Sequence, residues 1–408
     1  MKISKLIIAF IMAPALAFSQ AQINLIGTSY NTNSGYVDII RWQALDSNSL
    51  TSNQSMLQSY LLGSSVFDAY NSNYFLRGFD TVSNGLYTLN TISNVENFIN
   101  IGPFYNGGSE IDMSTGKIYN LAPDVSGYFN IIEYDLNSGT DVILGVIPES
   151  ITMGVIADNT CFDSNNALFY FLGYDSTGTH CIYTIDLSNA LFSYSKTPLQ
   201  LLAPVNIFQN VNYDNVNNLI FAMNIAYDTI NNTQANNVVE INPGSGALNV
   251  RGTINGYMQF QGGASSFDQA SGSLVFIGID NNLIRSMIVF NTNTNTYLTG
   301  YVPQTAGEIE CDNYAFAKNT YGSTSIDEAT VNGLTLYPNP ATNNFTLQFD
   351  QREDNASLKI FSADGKECFS EILSKPITNI NTQSFRKGFY TVRISTEKTN
   401  RVLKLIVQ

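Results

Sequence analysis

Several residue types are scarce in this 408-residue sequence. It has one histidine, His180, and one tryptophan, and charged residues make up 13% of it, about half the share of an average globular domain. One imidazole is too few for the histidine sets of zinc sites and does not make a convincing Ser-His-Asp triad. The sequence also lacks a Gly-x-Ser-x-Gly elbow, a P-loop and an Asp-x-Asp-x-Asp-Gly calcium loop. Most acid–base and metal chemistry built on imidazole is therefore excluded.

Basic residues are also few and unevenly placed. The net charge is −14, but residues 338–408 hold ten Lys and Arg against seven Asp and Glu. Setting aside Lys2 and Lys5 at the N-terminus, the central part of the chain keeps seven basic residues and a net charge of about −19. Such a surface cannot neutralise phosphates along a duplex, and it repels anionic lipid head groups. Nucleic acids and lipid surfaces are therefore excluded as partners.

Long hydrophobic runs are missing except at the N-terminus. Lys2 and Lys5 precede the apolar run Leu6–Phe18, and Ala17-Phe18-Ser19 forms a small-x-small cleavage site. The run is too short to favour the alternative, a membrane anchor, and no later stretch reaches 18 apolar residues. We therefore expect residues 1–19 to be a signal peptide for export, and the chain not to be an integral membrane protein.

Four cysteines follow, and an oxidising compartment would permit disulfides between them. The four are Cys161, Cys181, Cys311 and Cys368, and the first two are near enough in sequence to bridge adjacent strands of one sheet. The alternative is that the cysteines are small buried hydrophobic residues. Their spacing does not indicate zinc.

A repeat runs through residues 22–320. An apolar residue and an aspartate lead through a short polar turn to an apolar strand, and Asp in a turn can bond the backbone amides two residues on. Six copies occur at spacings of 44 to 54 residues: Phe67-Asp68, Ile111-Asp112, Phe162-Asp163, Tyr213-Asp214, Phe267-Asp268 and Cys311-Asp312. These aspartates are predicted to be structural.

A second pattern, a strand that ends in Asp, Asn or Gln, alternates with the first. Its copies are Ile40–Gln43, Tyr87–Asn90, Ile132–Asp135, Tyr183–Asp186, Val239–Asn242 and Ile288–Asn291. Each unit has the size of a β-propeller blade, and pairing Ile23–Tyr30 with Ile309–Asp312 would close the ring. We predict an all-β chain with a six-bladed β-propeller-like domain at residues 20–316. A large β-sandwich or a β-helix is the alternative.

The composition changes after a polar linker predicted at residues 317–333. From 334 to 408 the residues alternate as in an antiparallel sandwich, with a tight turn at Asp364-Gly365. The motifs in order are Pro338-Asn339-Pro340, Gly365-Lys366, Gly388-Phe389-Tyr390 and a final stretch from Lys404 to Gln408. They resemble the type A C-terminal sorting domain of the type IX (Por) secretion system of Bacteroidota. Cys368 has no place in that pattern, and a plain carbohydrate-binding or fibronectin-like sandwich is the alternative.

The resemblance implies an immunoglobulin-like sandwich that the secretion translocon recognises and a sortase removes. The matching motif residues are Pro338, Asn339, Pro340, Gly365, Lys366, Gly388, Tyr390 and Lys404. The rest of the chain would then be secreted or attached to lipopolysaccharide on the outer-membrane surface. The resemblance implies no enzymatic activity for this domain.

One group of acidic residues is a candidate site in the propeller. Two residues before the repeat aspartates lie Val66, Glu110, Cys161, Asn212, Ser266 and Glu310, at matching heights on strands expected to line the channel. Together with Glu308, Glu110 and Glu310 could form an acidic mouth that holds calcium, as in calcium-dependent propeller lactonases and hydrolases. The simpler interpretation is a set of solvated carboxylates, with no cofactor and no catalytic residue.

Two functions remain open from the sequence. The first is a non-enzymatic module that binds a glycan or a protein, which the many Tyr and Asn residues favour. The second is the calcium-dependent hydrolase. Fold alone cannot decide between them, because propellers carry many unrelated activities.

Overall fold

The computed structural model describes residues 22–100, 108–124, 126–135, 140–148, 151, 159–189, 191–321, 334–338, 341–349, 356–362, 366–373, 375, 377–395 and 400–407. The signal peptide predicted at residues 1–19 lies outside these residues. The chain divides into two compact units, residues 1–321 and 322–408. Within the described residues, no helix is both long enough and apolar enough to cross a membrane.

The first unit contains six antiparallel sheets, which we number as blades 1 to 6. Each blade has four strand positions, and in blade 2 the innermost position is divided between two short strands, β4 and β5, which both pair with β6. Blade 1 comprises β25 (Ala306–Cys311), β1 (Asn24–Asn31), β2 (Tyr36–Gln43) and β3 (Asp46–Gln54). Blade 2 comprises β4 (Ser59–Tyr60), β5 (Val66–Asp68), β6 (Asn73–Phe79), β7 (Asn84–Asn90) and β8 (Glu96–Asn100).

The other four blades each use four consecutive strands. Blade 3 comprises β9 (Ser109–Ile111), β10 (Ile118–Pro123), β11 (Phe129–Asp135) and β12 (Thr140–Ile147). Blade 4 comprises β13 (Thr160–Asp163), β14 (Leu168–Tyr174), β15 (His180–Asp186) and β16 (Ser193–Pro198). Blade 5 comprises β17 (Val205–Asp214), β18 (Leu219–Asp228), β19 (Thr233–Ile241) and β20 (Leu248–Thr253). Blade 6 comprises β21 (Tyr257–Asp268), β22 (Ser273–Asp280), β23 (Arg285–Asn291) and β24 (Thr296–Gly300).

The innermost strands form a closed ring. Each contacts the innermost strands of both neighbouring blades, and β25 completes the ring between β21 and β5. The closure is the predicted one: β25 pairs with β1, with Leu25 opposite Cys311 and Ile26 opposite Glu310. The six-bladed β-propeller is therefore confirmed. Because β25 pairs with β1, the facing edges of these two strands are not left unpaired.

The repeat aspartates form the predicted turns. Asp163 Oδ1 accepts hydrogen bonds from the backbone N–H groups of Asn165 (2.9 Å) and Asn166 (3.1 Å). Asp214 makes the same two contacts with Val216 and Asn217 in the next blade. These bonds satisfy turn amides that the hairpin leaves unpaired, so the structural role predicted for the aspartates is confirmed.

The period-two alternation of each central strand divides its side chains between two interfaces. In β14, Phe169 and Phe171 pack toward blade 3, whereas Tyr170 and Leu172 pack toward blade 5. The core of the first unit is thus a series of layers between blades. Each buried aromatic side chain contributes about 1.5–3 kcal/mol by leaving water.

The first unit extends beyond the predicted boundary at residue 316. A short helix, α1 (Tyr314–Thr320), follows β25, and its Ala317 is fully buried in the core between blades 1 and 2. The hydroxyl of Tyr321 donates a hydrogen bond of 2.9 Å to Asn165 Oδ1 in blade 4. Residues 317–321 are therefore part of the packed first unit and do not belong to the linker.

The second unit consists of two small antiparallel sheets. One sheet comprises β26 (Leu334–Tyr337), β27 (Asn344–Phe349) and β30 (Ile377–Asn381). The other comprises β28 (Ala356–Ser362), β29 (Glu367–Leu373), β31 (Gly388–Ser395) and β32 (Asn400–Val407). Phe345 and Leu347 from the first sheet and Leu358 and Ile360 from the second share one buried core, as expected of a sandwich.

The predicted disulfide between Cys161 and Cys181 is wrong. Both thiols are free and buried, and β14 lies between their strands, β13 and β15. Cys161 packs in the core toward blade 5, whereas Cys181 packs in the core toward blade 3. Two sulfur atoms on opposite faces of one sheet cannot bond, so both cysteines serve as small hydrophobic residues.

Candidate functional site

A groove of about 470 Å³ lies between blades 1 and 2 of the propeller. Its floor is formed by buried apolar residues, among them Leu25, Ile26 and Phe67. Neutral hydroxyl and amide groups and two charged side chains form much of the rest: Asn24, Arg41, Gln43, Ser49, Thr51, Ser72, Thr91 and Asp312. An apolar floor with a polar rim is the usual composition of a ligand site.

Arg41 joins the two blades across this groove. Its Nη1 donates to the carbonyl oxygen of Thr91 (2.8 Å), and its Nη2 donates to Asn94 Oδ1 (3.1 Å). Ile92, in the same turn of blade 2, is 74% exposed at the rim, and Tyr314 of α1 is half-exposed at the rim as well. The groove therefore depends on residues far apart in sequence.

A second, narrower cavity of about 80 Å³ lies along the channel at the centre of the ring. It is lined by residues from all six blades: Gly63, Ser65, Val66, Ser109, Glu110, Ile111, Thr160, Val211, Asn212, Gly263, Ser265, Glu308 and Glu310. Four of the six residues predicted to line the channel do so, namely Val66, Glu110, Asn212 and Glu310. Cys161 packs between blades instead, and in blade 6 Ser265 takes the lining position predicted for Ser266.

The three channel glutamates hold neighbouring blades together. Glu310 Oε1 accepts a hydrogen bond from the Ser65 hydroxyl (2.7 Å), and its Oε2 accepts one from the Ser266 hydroxyl (3.2 Å). Glu308 Oε1 accepts from the backbone N–H of Gly63 (2.8 Å). In blade 3, Glu110 accepts from the Thr160 hydroxyl of blade 4 (2.7 Å).

Burial makes these carboxyl groups weak acids. Loss of hydration raises the pKa of Glu110 to about 7 and that of Glu310 to about 8. The pKa of Glu308 is also raised well above its usual value, chiefly by burial and further by the charge of Glu310. Glu110 and Glu310 are therefore largely protonated at mildly acidic pH.

The carboxylates do not converge as metal ligands. In the part of the chain that the structure describes, no three His, Cys, Asp or Glu side chains are placed to hold one metal ion. Glu110 lies on blade 3, whereas Glu308 and Glu310 lie on blade 1, and all three accept hydrogen bonds from protein groups. The geometry gives no support to the weak calcium candidates Glu110, Glu308 and Glu310.

The residues that directly follow the repeat aspartates form a series of hydrogen bonds from blade to blade, which was not predicted from the sequence. The residue after four of the six repeat aspartates donates its backbone N–H to the side chain of the equivalent residue in the next blade. Four such bonds occur, each of 2.8–2.9 Å: Met113 to Ser164, Ser164 to Asn215, Asn215 to Gln269 and Gln269 to Asn313. In blade 2 the equivalent residue is Ala69, which has no side-chain acceptor. All four bonds start from the position after a repeat aspartate. The residue type at that position varies from copy to copy, so the sequence pattern did not reveal the bonds.

The sorting-domain residues lie in several parts of the second unit. Tyr390 is buried, and its hydroxyl donates to the carbonyl oxygen of Arg386 (2.7 Å). Pro338 and Lys366 are exposed, Gly388 begins β31 with φ near +149°, and Lys404 lies in β32. Asn339, Pro340 and Gly365 lie outside the described residues.

The first unit is similar in fold to a solved structure with a TM-score above 0.5, and other solved structures match with lower scores. TolB from Acinetobacter baumannii is 13% identical with a TM-score of 0.53, and the match covers 71% of this chain and 66% of that chain. A putative TolB from Agrobacterium tumefaciens is 10% identical with a TM-score of 0.45, covering 71% and 92%. PorZ from Porphyromonas gingivalis, an essential bacterial surface component of the type IX secretion system, is 11% identical with a TM-score of 0.34, covering 94% and 65%. The chain thus spans just under two thirds of the length of the first TolB and of PorZ.

Only the fold follows from these structural similarities, because the identities are so low. No curated protein matches the sequence. Residues 335–408 match the family of the secretion system C-terminal sorting domain. The match covers almost all of the segment that carries the Pro-Asn-Pro, Gly-Lys and Gly-x-Tyr motifs, so the resemblance found in the sequence is confirmed. The C-terminal part of this chain is a secretion-system C-terminal sorting domain.

Proposed function

We propose that this chain is a secreted or surface-anchored binding protein of the type IX secretion system. The sorting domain at residues 335–408 is the observation that carries the export route. The predicted signal peptide at residues 1–19 would take the chain across the inner membrane. The translocon and a sortase would then act on the C-terminal domain, leaving the propeller outside the cell.

The propeller would bind a carbohydrate in the groove between blades 1 and 2. Much of the groove's rim presents hydroxyl and amide groups, which match the hydroxyl groups of a sugar, and the half-exposed Tyr314 ring can stack on a sugar face. The volume of about 470 Å³ accommodates a few sugar units. A protein ligand is the alternative, and it has less support because the rim is built from small polar groups.

The groove does not favour a hydrolase. Most glycoside hydrolases use two carboxyl groups that flank the bond to be broken. Among the described residues, Asp312 is the one carboxylate that lines the groove. The glutamates of the channel line a cavity of only about 80 Å³, which is too small for a sugar substrate.

Export is tested by removing residues 335–408 and expressing both forms in a host that has a type IX secretion system. We expect the full chain on the cell surface or in the medium and the shortened chain in the periplasm. A host strain without the translocon is the control and should retain both forms. Arrival of the shortened chain in the medium would contradict the proposed route.

Binding is tested on the full chain with a glycan array followed by calorimetry. Ile92→Glu places a charge at the rim and should lower the affinity at least tenfold. Ile230→Glu is a matched control, because Ile92 and Ile230 are both exposed and both follow a turn capped by the side chain two residues before, Asn90 and Asp228 respectively. Failure to bind any glycan, or an equal loss in both variants, would rule out this function for the groove.

A further inference from the structure

One of the few positive charges of the acidic propeller that lack an anionic partner lies in the groove between blades 1 and 2. Between residues 22 and 337 the chain has seven basic residues. Four of them form ion pairs with carboxylates, listed by pair: Arg77–Asp141, Lys117–Glu133, Lys196–Asp175 and Arg251–Glu240. The other three, Arg41, Arg285 and Lys318, make no ion pair with any described residue. Arg41 lines the groove between blades 1 and 2. Lys318 does not line it, because its Nζ lies over the ring of Tyr70, 3.5 Å from the centroid, and 5.7 Å from the centroid of Tyr314.

Arg41 has unused hydrogen-bond donors. A guanidinium carries five N–H groups, and Arg41 gives two of them to neutral acceptors, Thr91 O and Asn94 Oδ1. Its Nε is buried without a hydrogen-bond partner among the described residues. Partial burial without a counter-charge lowers the pKa of Arg41, as expected when a cation loses hydration and gains no anion.

Arg251 shows what this arrangement looks like when the charge is balanced. It reaches from blade 5 into the equivalent turn of blade 6, donating to the carbonyl oxygen of Thr292 (2.7 Å) and to Asn295 Oδ1 (3.0 Å). It also donates to Glu240 Oε2 at 2.7 Å. Arg41 bonds to the same two positions of the next blade, but it stands on the third strand of its blade, at the repeat position that Glu240 has in blade 5, and it pairs with no described carboxylate.

We propose that the groove between blades 1 and 2 binds an acidic carbohydrate, of the uronic-acid class, and that Arg41 pairs with its carboxylate. This inference rests on the binding function proposed above and adds the chemical class of the ligand. A carboxylate in the groove would accept charge-assisted hydrogen bonds from the remaining N–H groups of Nη1 and Nη2. Asp312 also lines the groove, so the attraction of Arg41 for an acidic ligand has to exceed the repulsion from this carboxylate.

The first experiment varies the ligand and leaves the protein unchanged. Calorimetry of the full chain compares an oligosaccharide of glucuronic acid, its methyl ester and the corresponding glucose oligosaccharide. We expect the free acid to bind at least tenfold more tightly than the ester, with an affinity that falls as salt is added. Equal affinities for acid and ester would overturn the inference and leave the groove as a site for neutral sugars. Binding of none of the three would overturn the inference and, if the array also shows none, the proposed binding function.

The second experiment varies the protein. Arg41→Gln should lower the affinity for the free acid about tenfold or more while changing that for the ester less than threefold. Arg251→Gln removes the equivalent bonds between blades 5 and 6 and should leave both affinities unchanged. Thermal unfolding of each variant shows whether it is folded, and Arg41→Lys, which keeps the charge, should retain part of the preference for the acid. A parallel loss for acid and ester in Arg41→Gln would show that Arg41 only shapes the groove.

Discussion

The hydroxyl of Ser65 in blade 2 donates a hydrogen bond of 2.7 Å to the carboxyl group of Glu310 in the closing strand β25. The other oxygen of Glu310 accepts from Ser266 in blade 6. One side chain thus joins the closing strand to both of its neighbours, at the point where the two ends of the propeller meet. Glu308 accepts a hydrogen bond from the backbone N–H of Gly63 in blade 2, so two acids of the closing strand, the buried Glu308 and the partly buried Glu310, add contacts across the closure.

These acids should make the stability of the propeller depend on pH. Burial raises the pKa of Glu310 to about 8, above its value near 4.5 in the unfolded chain, so the folded state binds the proton more tightly. The stabilisation is complete below about pH 4.5 and is lost as the pH rises through about 8. We expect the melting temperature of the full chain to be lower at pH 8.5 than at pH 5.5. The corresponding decrease in the free energy of unfolding is on the order of 2–4 kcal/mol.

The Glu310→Gln variant isolates this effect. An amide has nearly the shape of a protonated carboxyl group but does not ionise, so the variant should match the wild type at pH 5.5 and exceed its melting temperature at pH 8.5. Glu133→Gln, a half-buried surface carboxylate paired with Lys117, serves as the control and should leave the slope unchanged. Parallel pH curves for wild type and Glu310→Gln would contradict the assignment.

The chain of hydrogen bonds after the repeat aspartates should contribute measurably to stability. Asn215→Ala leaves the buried backbone N–H of Ser164 without its acceptor, which costs about 1–3 kcal/mol. Asn282→Ala, at an exposed turn of blade 6, should cost less than about 0.5 kcal/mol. The comparison is made by thermal unfolding of the full chain, and equal costs for the two variants would show that the bond between blades 4 and 5 contributes nothing.

The sequence predicted the architecture because it repeats the same local chemistry six times. An Asp-led turn and an alternating strand each depend on neighbours in the chain, so their spacing could be read directly. The closing pair β25–β1 followed from the phase of the repeat. The helix α1 was missed because it has only seven residues, and its N-cap residue, Asn313, makes no side-chain cap.

The groove could not be predicted because it is formed by residues that only the ring brings together. Arg41 and Thr91 are 50 residues apart, and nothing near Arg41 in sequence indicates that a turn of the next blade will meet it. The error over Cys161 and Cys181 has a related cause. Their spacing was compatible with neighbouring strands, but the intervening strand β14 and the side-chain alternation place the thiols on opposite faces.

Pairing of β1 with β25 predicts a disulfide that can be introduced by one substitution. Asp312 N–H donates to Asn24 O (2.8 Å), so the adjacent pair, Leu25 and Cys311, is a non-hydrogen-bonded pair with Cα atoms about 4.5 Å apart. That separation suits a disulfide. Leu25→Cys should therefore bond to the native Cys311 and close a loop around nearly the whole propeller.

The oxidised form of this variant should be more stable than its reduced form by about 3–5 kcal/mol. Comparing the two forms of one protein removes the cost of losing the leucine side chain. Intact mass under non-reducing conditions detects the bond, and thermal unfolding with and without reductant gives the difference. Reductant should not change the wild type, and a variant that stays reduced would contradict the register of ring closure.

Blades 2 and 3 are joined by a charge pair whose two members should differ in their effects when replaced. The Arg77 side chain is only 2% exposed, its Nη2 lies 3.2 Å from Asp141 Oδ1, and its guanidinium lies 5.6 Å from the ring centroid of Tyr134. Asp141→Asn leaves a buried cation without its carboxylate and should cost about 2–4 kcal/mol. Adding Arg77→Met removes the unpaired charge, so the double variant should recover part of that loss of stability.

Glu367→Gln, the control, breaks the exposed pair with Lys359 and should cost less than about 1 kcal/mol. Thermal unfolding measures the loss of stability in each variant. An equal loss in Asp141→Asn and Glu367→Gln, or a double variant less stable than Asp141→Asn, would show that Arg77 is held by its packing on Tyr134 and not by charge.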